Sequence, residues 1–330
     1  MYVQLSISAP GKVILFGEHT VVSGSNCLVS TIDRRVYLEY CSYDVNNEPC
    51  MDKLGIFLSG THVFNVYISD GEIKYEVLVD SSINHTMAKI MIAILIEVGN
   101  ETFPCGRIMV ESHIPMGMGM GSSAALSVCL AGCFLHLSGV DVANNTERVD
   151  EVAICGERIC HGNPSGVDNK IIARGGTFVY NKVRRTCEPV GIPQSGKFIV
   201  IDTQKEHCTS EIVAKVQARI RHTPTLMGFN HIIDEVITQF IDGKIAIDTA
   251  FEICDGILYS LGVHHSTNVH LMSVCKKNGI PVKVTGAGDG GVMLCPFDEV
   301  FIAVFNENSI PYTVVKLSDK NIGLEVIDSS

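Results

Sequence analysis

The sequence predicts a mixed α+β protein built as two domains, and three observations carry that prediction. The first 80 residues alternate short β-branched runs with turns. Two long helical segments follow a glycine-rich stretch at 115–123. A polar, Pro- and Gly-containing stretch from Asn181 to Gly196 then precedes a fresh strand, and helices dominate the rest. Strands and helices grouped in this way, with a polar break between them, indicate α+β layers around separate cores.

Within residues 3–80, the strand candidates are Val36-Tyr37-Leu38-Glu39-Tyr40, His62 to Ile68 and Ile73 to Val79. The last two are joined by Ser69-Asp70-Gly71-Glu72, whose Asp-Gly centre is hairpin chemistry. Apolar residues recur at helical spacing from Ile83 to Val98 and stop before Gly99-Asn100. Arg107-Ile108-Met109-Val110-Glu111 is a strand that feeds the glycine-rich stretch, and helices are expected over 123–138 and 146–161. The run Ala124 to Val140 falls just short of the roughly 18 apolar residues that span a bilayer, so it predicts a buried helix.

Gly176 to Tyr180 is a strand, and the boundary falls near 190, dividing the chain into 1–190 and 191–330. Beyond Lys197-Phe198-Ile199-Val200-Ile201, helices are expected at about 208–222, 227–241, 245–261 and 267–278. Val282-Lys283-Val284, a second glycine-rich run and short strands at 290–295, 300–304 and 312–316 complete the chain.

Composition narrows the function. A chain that is 46% hydrophobic and 18% charged can bury a large core and is not disordered. The net charge of −11, with no block of like charges, argues against a nucleic-acid partner. The 13 cysteines are odd in number, lack C-x-x-C pairs and sit mostly in apolar runs, as reduced core thiols do. No leader or targeting tripeptide is visible, so a cytoplasmic location and no membrane association are expected.

The chemistry concentrates in four places. Pro115-Met116-Gly117-Met118-Gly119-Met120-Gly121-Ser122-Ser123 lies between a strand and an apolar helix, where unhindered N–H groups and a helix N-terminus converge on an anion. It lacks the Gly-Lys-Ser/Thr close of a Walker A loop, and its third glycine comes one position early for a dinucleotide fingerprint. Ser122 and Ser123 serve either as helix caps or as hydroxyl donors to a phosphate-bound Mg²⁺.

The second place is the run Ser8 to Thr20, where Lys12, Glu18 and His19 surround an apolar strand between glycines. Polar groups in an apolar setting need partners. Third, Glu157 lies on a helix that ends at His161-Gly162, and Asp168 follows in a turn-rich segment; taken alone, Glu157 also reads as a helix-surface charge and Asp168 as a turn-forming residue. Fourth, Thr285-Gly286-Ala287-Gly288-Asp289-Gly290-Gly291 is either a tight hairpin or a loop that closes over phosphate from the second domain.

Taken together, Pro10-Gly11-Lys12 through Gly17-Glu18-His19, then Gly119-Met120-Gly121-Ser122-Ser123-Ala124-Ala125, then Thr285 to Gly291, resemble in order the three signatures of the GHMP small-molecule kinases. The match Ala9 to Gly24 and the segment His161-Gly162-Asn163-Pro164-Ser165-Gly166-Val167-Asp168-Asn169 resemble the branch of that superfamily that phosphorylates mevalonate. Asp289 and Val292 stand where that branch usually has Gly and Cys.

The resemblance implies a ribosomal-protein-S5-like N-terminal domain and a ferredoxin-like C-terminal domain with ATP and substrate held between them. It implies ATP-dependent phosphorylation of the 5-hydroxyl of (R)-mevalonate in isoprenoid and sterol precursor synthesis, by a homodimer. By the same resemblance Pro115, Gly117, Gly119, Met120, Gly121, Ser122, Ser123 and Ala124 hold ATP, and Ser123 and Glu157 ligate Mg²⁺, with Ser122 the competing ligand. Asp168 accepts the hydroxyl proton and Lys12 stabilises the transferring phosphoryl group. Lys12, Glu18, His19, Asp168 and Thr285 contact the substrate. A different acceptor alcohol, or a silent metabolite sensor on the same fold, are the competing readings.

Overall fold

The computed structural model describes residues 3–43, 53–99, 104–115, 118–162, 164, 166–192, 196–205, 209–318 and 322–329. Its first half is organised by two long strands, β1 (Gln4–Phe16) and β2 (Asn26–Ser42), which pair antiparallel with register shifts after Pro10 and Ile14. Those irregularities bend β2, so that its two halves serve different neighbours. Its second half pairs with β6 and its first with β7, as described below.

Strand β4 (Thr61–Ser69) pairs antiparallel with both β3 (Lys53–Leu58) and β5 (Glu72–Val77). The β4–β5 turn has Asp70 at φ 56° and Gly71 at φ 78°, the backbone that the Asp-Gly pair predicts. Helix α1 (Ser82–Val98) is capped by Ser81, whose side chain accepts from the Asn84 N–H, and it stops at the left-handed Gly99. Strand β6 (Gly106–Ser112) pairs parallel with β3 and antiparallel with β2.

The expected buried helix is α2 (Ser122–Leu137), in which every residue from Ala124 to Leu135 is buried. A helix apolar on all sides must be enclosed, and here α1, α3 (Thr146–His161), α4 (Val167–Arg174), β1 and β2 enclose it. Strands β7 (Thr177–Asn181) and β8 (Thr186–Pro189) close this half, β8 lying inside the stretch expected to be only polar linker.

The second half begins with β9 (Lys197–Asp202), then α5 (Thr209–His222), α6 (Gly228–Ile241), α7 (Ile247–Leu261) and α8 (Ser266–Lys277). Strands β10 (Lys283–Thr285) and β11 (Val292–Pro296), helix α9 (Glu299–Glu307) and β12 (Tyr312–Lys316) follow. The strand order β10-β11-β9-β12, all antiparallel and with helices in the first and last connections, is the split β-α-β arrangement of ferredoxin-like domains.

One expected strand is corrected: residues 300–304 form the middle of α9. A short run such as Val300-Phe301-Ile302-Ala303-Val304 does not distinguish strand from helix by pattern alone. Asp298 settles the matter by accepting the Val300 N–H at 2.8 Å, and Phe305 is buried while Val300 faces solvent.

The final strand, β13 (Glu325–Ser329), returns to the first sheet and pairs with β1. The return passes where Gly323 meets Gly175. A Cβ on Gly175 would lie 2.2 Å from the Gly323 nitrogen, and one on Gly323 would lie 2.1 Å from the Ala173 carbonyl. Gly175 also has φ 70° and ψ 152°, a conformation open essentially only to glycine. Gly175→Ala should therefore lower unfolding stability by about 2–3 kcal/mol in urea titration, from strain and the lost approach of β13.

The two sheets meet along a polar and aromatic seam. Phe16 of β1 packs edge-on against Phe240 of α6 and Phe251 of α7, with centroids 5.2 and 5.9 Å apart. Arg34 donates to the Val314 carbonyl at 3.1 Å, and the Asn26 N–H donates to Asp234 at 2.6 Å. No described helix is long and apolar enough to cross a membrane.

Candidate active site

The glycine loop begins directly against β1. The Lys12 N–H donates to the Met120 carbonyl at 2.9 Å, and a Cβ on Gly11 would lie 2.8 Å from that carbonyl oxygen. Gly121 has φ 77° and stands against the Lys12 stem, its notional Cβ 3.0 Å from Lys12 Cγ. Gly119 at φ 69° faces open space. Both therefore need glycine for the turn, and Gly121 also for the close approach.

Helix α2 begins at Ser122 with Gly121 in the capping position, and no side chain caps it. Its first N–H groups are thus left for another acceptor, which is what an anion supplies. Pro115, Ser122, Ser123 and Ala124 lie at this turn; Gly117 lies outside the described residues.

Three chain segments bring the charged residues together. Lys12 Nζ stands 3.0 Å from Asp168 Oδ2, the lysine side chain buried and the aspartate 28% exposed. Asp168 sits in the first turn of α4, entered through the left-handed Gly166. Glu157 of α3 is buried beside Ser123, which hydrogen-bonds it. Burial and the nearby Asp168 push Glu157 up to about 7, against the pull of Ser123 and Lys12. Its Oε1 has no partner.

A carboxylate with one oxygen unfilled, next to a serine hydroxyl and a phosphate-binding turn, is a hard oxygen donor set that suits Mg²⁺. This ion is held by one or two protein oxygens plus substrate phosphates rather than by a protein cage. Among the described residues no group of three His, Cys, Asp or Glu side chains could hold a metal by itself.

The remaining predicted residues lie where the two halves meet. Glu18 is fully buried and ion-paired with Lys283, which also donates to the Val284 carbonyl and stands 5.8 Å from the centre of the Phe251 ring. Burial pushes the Glu18 carboxyl up and Lys283 pulls it back. Thr285 donates its hydroxyl to the Ile14 carbonyl at 2.7 Å.

His19 has φ 60° and ψ −45°, and the Thr20 N–H donates across it to the Glu18 carbonyl at 2.6 Å, forming a strained three-residue turn. The turn aims its ring at the second half. Nε2 stands 2.8 Å from the Ala287 carbonyl, which only accepts, so Nε2 carries the proton and the buried Nδ1 is an acceptor without a partner. Burial lowers the His19 pKa, keeping the ring neutral.

Sequence reasoning overlooked two residues here. Lys283 carried the same signal as Lys12, a lysine inside an apolar run next to a glycine motif. Asn169, 1% exposed with neither amide atom partnered, follows Asp168 directly and closes the 161–169 segment, where no role was assigned to it.

The base of α4 holds a further carboxyl. Asp150 of α3 has a buried Oδ1 without a partner, and burial pushes it to about 6 despite Lys170 and Arg174. Glu147, Glu151, Tyr180 and Cys187 share the same neighbourhood. Because the folded pKa lies above the unfolded one, the native state holds a proton that the unfolded chain has released. Stability therefore falls as pH rises from about 4 to about 6 and stays lower above. Asp150→Asn should raise unfolding stability at pH 7.5 by on the order of 1–2 kcal/mol, with the gain vanishing below about pH 4.

Comparison with known proteins shows what the chain is similar to. Residues 85–176 match the GHMP kinases N terminal domain. The chain superposes on a solved L. major mevalonate kinase in complex with R-mevalonate with a TM-score of 0.74 at 19% identity, covering 95% of this chain and 96% of that one, a likeness of fold. Residues 85–176 thus carry the GHMP kinase N-terminal domain, and the chain has the two-domain α+β fold of the GHMP kinases.

Within that superfamily its sequence stands with the mevalonate kinases. It is 29% identical to the Bos taurus mevalonate kinase over 87% of this chain and 84% of the relative. It is 29% identical to that of Thermococcus sibiricus over 97% of this chain and 98% of the relative.

Proposed function

We infer that the protein is a mevalonate kinase, transferring the γ-phosphoryl group of ATP to the 5-hydroxyl of (R)-mevalonate to give 5-phosphomevalonate and ADP. The observation that carries this reading is the Lys12–Asp168 pair at 3.0 Å beside the open glycine turn, in a chain whose relatives are mevalonate kinases.

In this reading the uncapped start of α2 and the loop from Gly119 to Gly121 cradle the triphosphate. Asp168 takes the proton of the attacking hydroxyl, and Lys12 meets the charge on the transferring phosphoryl group. Phosphoryl transfer needs little more than positioning and charge stabilisation, and a lysine–carboxylate pair at a phosphate loop supplies both. Ser123 and Glu157 would hold Mg²⁺, which would supply positive charge to offset that of the phosphates. His19, neutral with Nδ1 free, offers an acceptor to a hydroxyl of the substrate, and Glu18 and Thr285 brace the substrate side of the cleft from the interior.

The reading extends to a cytoplasmic homodimer. It is consistent with the free thiols of all the described cysteines, and sedimentation velocity reads the assembly directly.

The test couples ADP release to NADH oxidation with purified protein and Mg·ATP, and with (R)-mevalonate, 5-phosphomevalonate, galactose or homoserine supplied separately. Turnover with mevalonate alone is expected. Turnover only with another acceptor keeps the kinase and overturns the substrate.

A further inference from the structure

The third glycine run is interrupted by a charge. Asp289 stands between Gly288 and Gly290-Gly291 at φ 52°, in a loop whose glycines 286, 288, 290 and 291 all have positive φ. Aspartate tolerates this left-handed backbone better than most residues. Its N–H donates to the Val263 carbonyl at 2.6 Å, so the position is held.

This loop abuts the glycine turn at 119–121, since a Cβ on Gly286 would lie 4.0 Å from Gly119 Cα. Asp289 lies three residues beyond Gly286, with two residues between them, a span of at most about 11 Å and comparable with the screening length of physiological salt. A bare carboxylate at that range repels a nucleotide triphosphate.

The structure supplies a counter-charge from elsewhere in the chain. Lys205, in the segment that leaves β9, places Nζ 2.9 Å from Asp289 Oδ1, and its own carbonyl accepts the Gly291 N–H at 2.9 Å. Lys205 therefore grips the loop by backbone and side chain together. Lys205, Lys215 of α5 and His265 at the start of α8 together hold the Asp289 carboxyl below the usual carboxylate range. Both partners are about one-third exposed, at 32% and 34%. A pair so exposed contributes little to stability, so fold stability does not explain an aspartate in a glycine run.

We propose that Lys205 is a positioning residue for nucleotide binding, whose role is to neutralise Asp289 so that the third glycine loop can lie against the triphosphate. The proposal rests on the reading of residues 119–123 as the phosphate loop. It makes Lys205 necessary only while Asp289 carries a charge, and that conditionality separates it from a direct phosphate contact.

The test is a double-mutant cycle of Lys205→Met, Asp289→Asn and both together, with Lys205→Arg as the charge-retaining control. Asparagine keeps the left-handed backbone. Affinity for Mg·ADP and a non-hydrolysable ATP analogue is measured by calorimetry without acceptor, the KM for ATP by the coupled assay, and the folding of each variant by thermal melting.

Lys205→Met should weaken nucleotide binding about fivefold to tenfold. Asp289→Asn, Lys205→Arg and the double variant should stay within about twofold of the parent, so that removing the aspartate rescues the loss of the lysine. An unchanged affinity in folded Lys205→Met overturns the proposal. So does a double variant as weak as Lys205→Met, which would place the lysine on the phosphates themselves. A parent protein that binds no nucleotide would overturn the phosphate-loop reading together with this one, and is distinguished by failing before any substitution is made.

Discussion

Asp168→Asn is expected to fold as the parent does and to lose on the order of 10²–10⁴ in kcat, with the KM for ATP little changed. The amide is isosteric with the carboxylate and can accept a hydrogen bond, so it keeps the hydroxyl near but cannot take its proton. Lys12 loses its ionic partner at 3.0 Å, but remains tethered through its own N–H to Met120. The melting temperature should therefore move little, since Asp168 is the exposed member of the pair. Retention of more than about a tenth of the parent turnover in folded Asp168→Asn would replace the proton-accepting role with positioning alone.

The largest expected effect on stability is at Lys283. Lys283→Met leaves the fully buried Glu18 with no cation, and breaking a buried pair in this way costs about 3–5 kcal/mol. Urea denaturation at pH 7.5 reads that loss. The sign with pH follows from linkage. Without Lys283 the Glu18 carboxyl is held above its unfolded value by burial alone, so the variant should regain stability as the pH falls toward that unfolded value and Glu18 takes up a proton in the folded state. Adding Glu18→Gln to Lys283→Met should recover part of the loss at pH 7.5, because the uncompensated charge is then gone. A single variant as stable as the parent would show that Glu18 and Lys283 are not paired in the folded protein.

These two sites differ in how far they can be read from residue order. The roles of Lys12 and Asp168 were legible through the resemblance, because each sits in a compact motif, Pro10-Gly11-Lys12 and Ser165-Gly166-Val167-Asp168, and the motifs occur together in order. The partner of Glu18 was not legible, because Lys283 lies 265 residues away and joins it only when β10 docks beside β1. Lys205 and Asp289 are likewise 84 residues apart and meet only because β9 and β11 are neighbours in one sheet.

The sequence by itself determined the elements whose signals are local. These are the β4–β5 hairpin through Asp70-Gly71, the buried α2 through its unbroken apolar run, and the glycine turn before it through a spacing only glycine can serve. It also determined the α+β class, because hairpins and long helices are stabilised by short-range pattern. Only the tertiary structure decided that residues 300–304 coil rather than extend, that β13 returns across Gly175 to the first sheet, and which buried charges are paired. Those outcomes depend on desolvation and close packing between segments distant in the chain. A charge such as Glu18 is stable in the interior only when its partner is delivered, and the fold, not the neighbouring residues, delivers it.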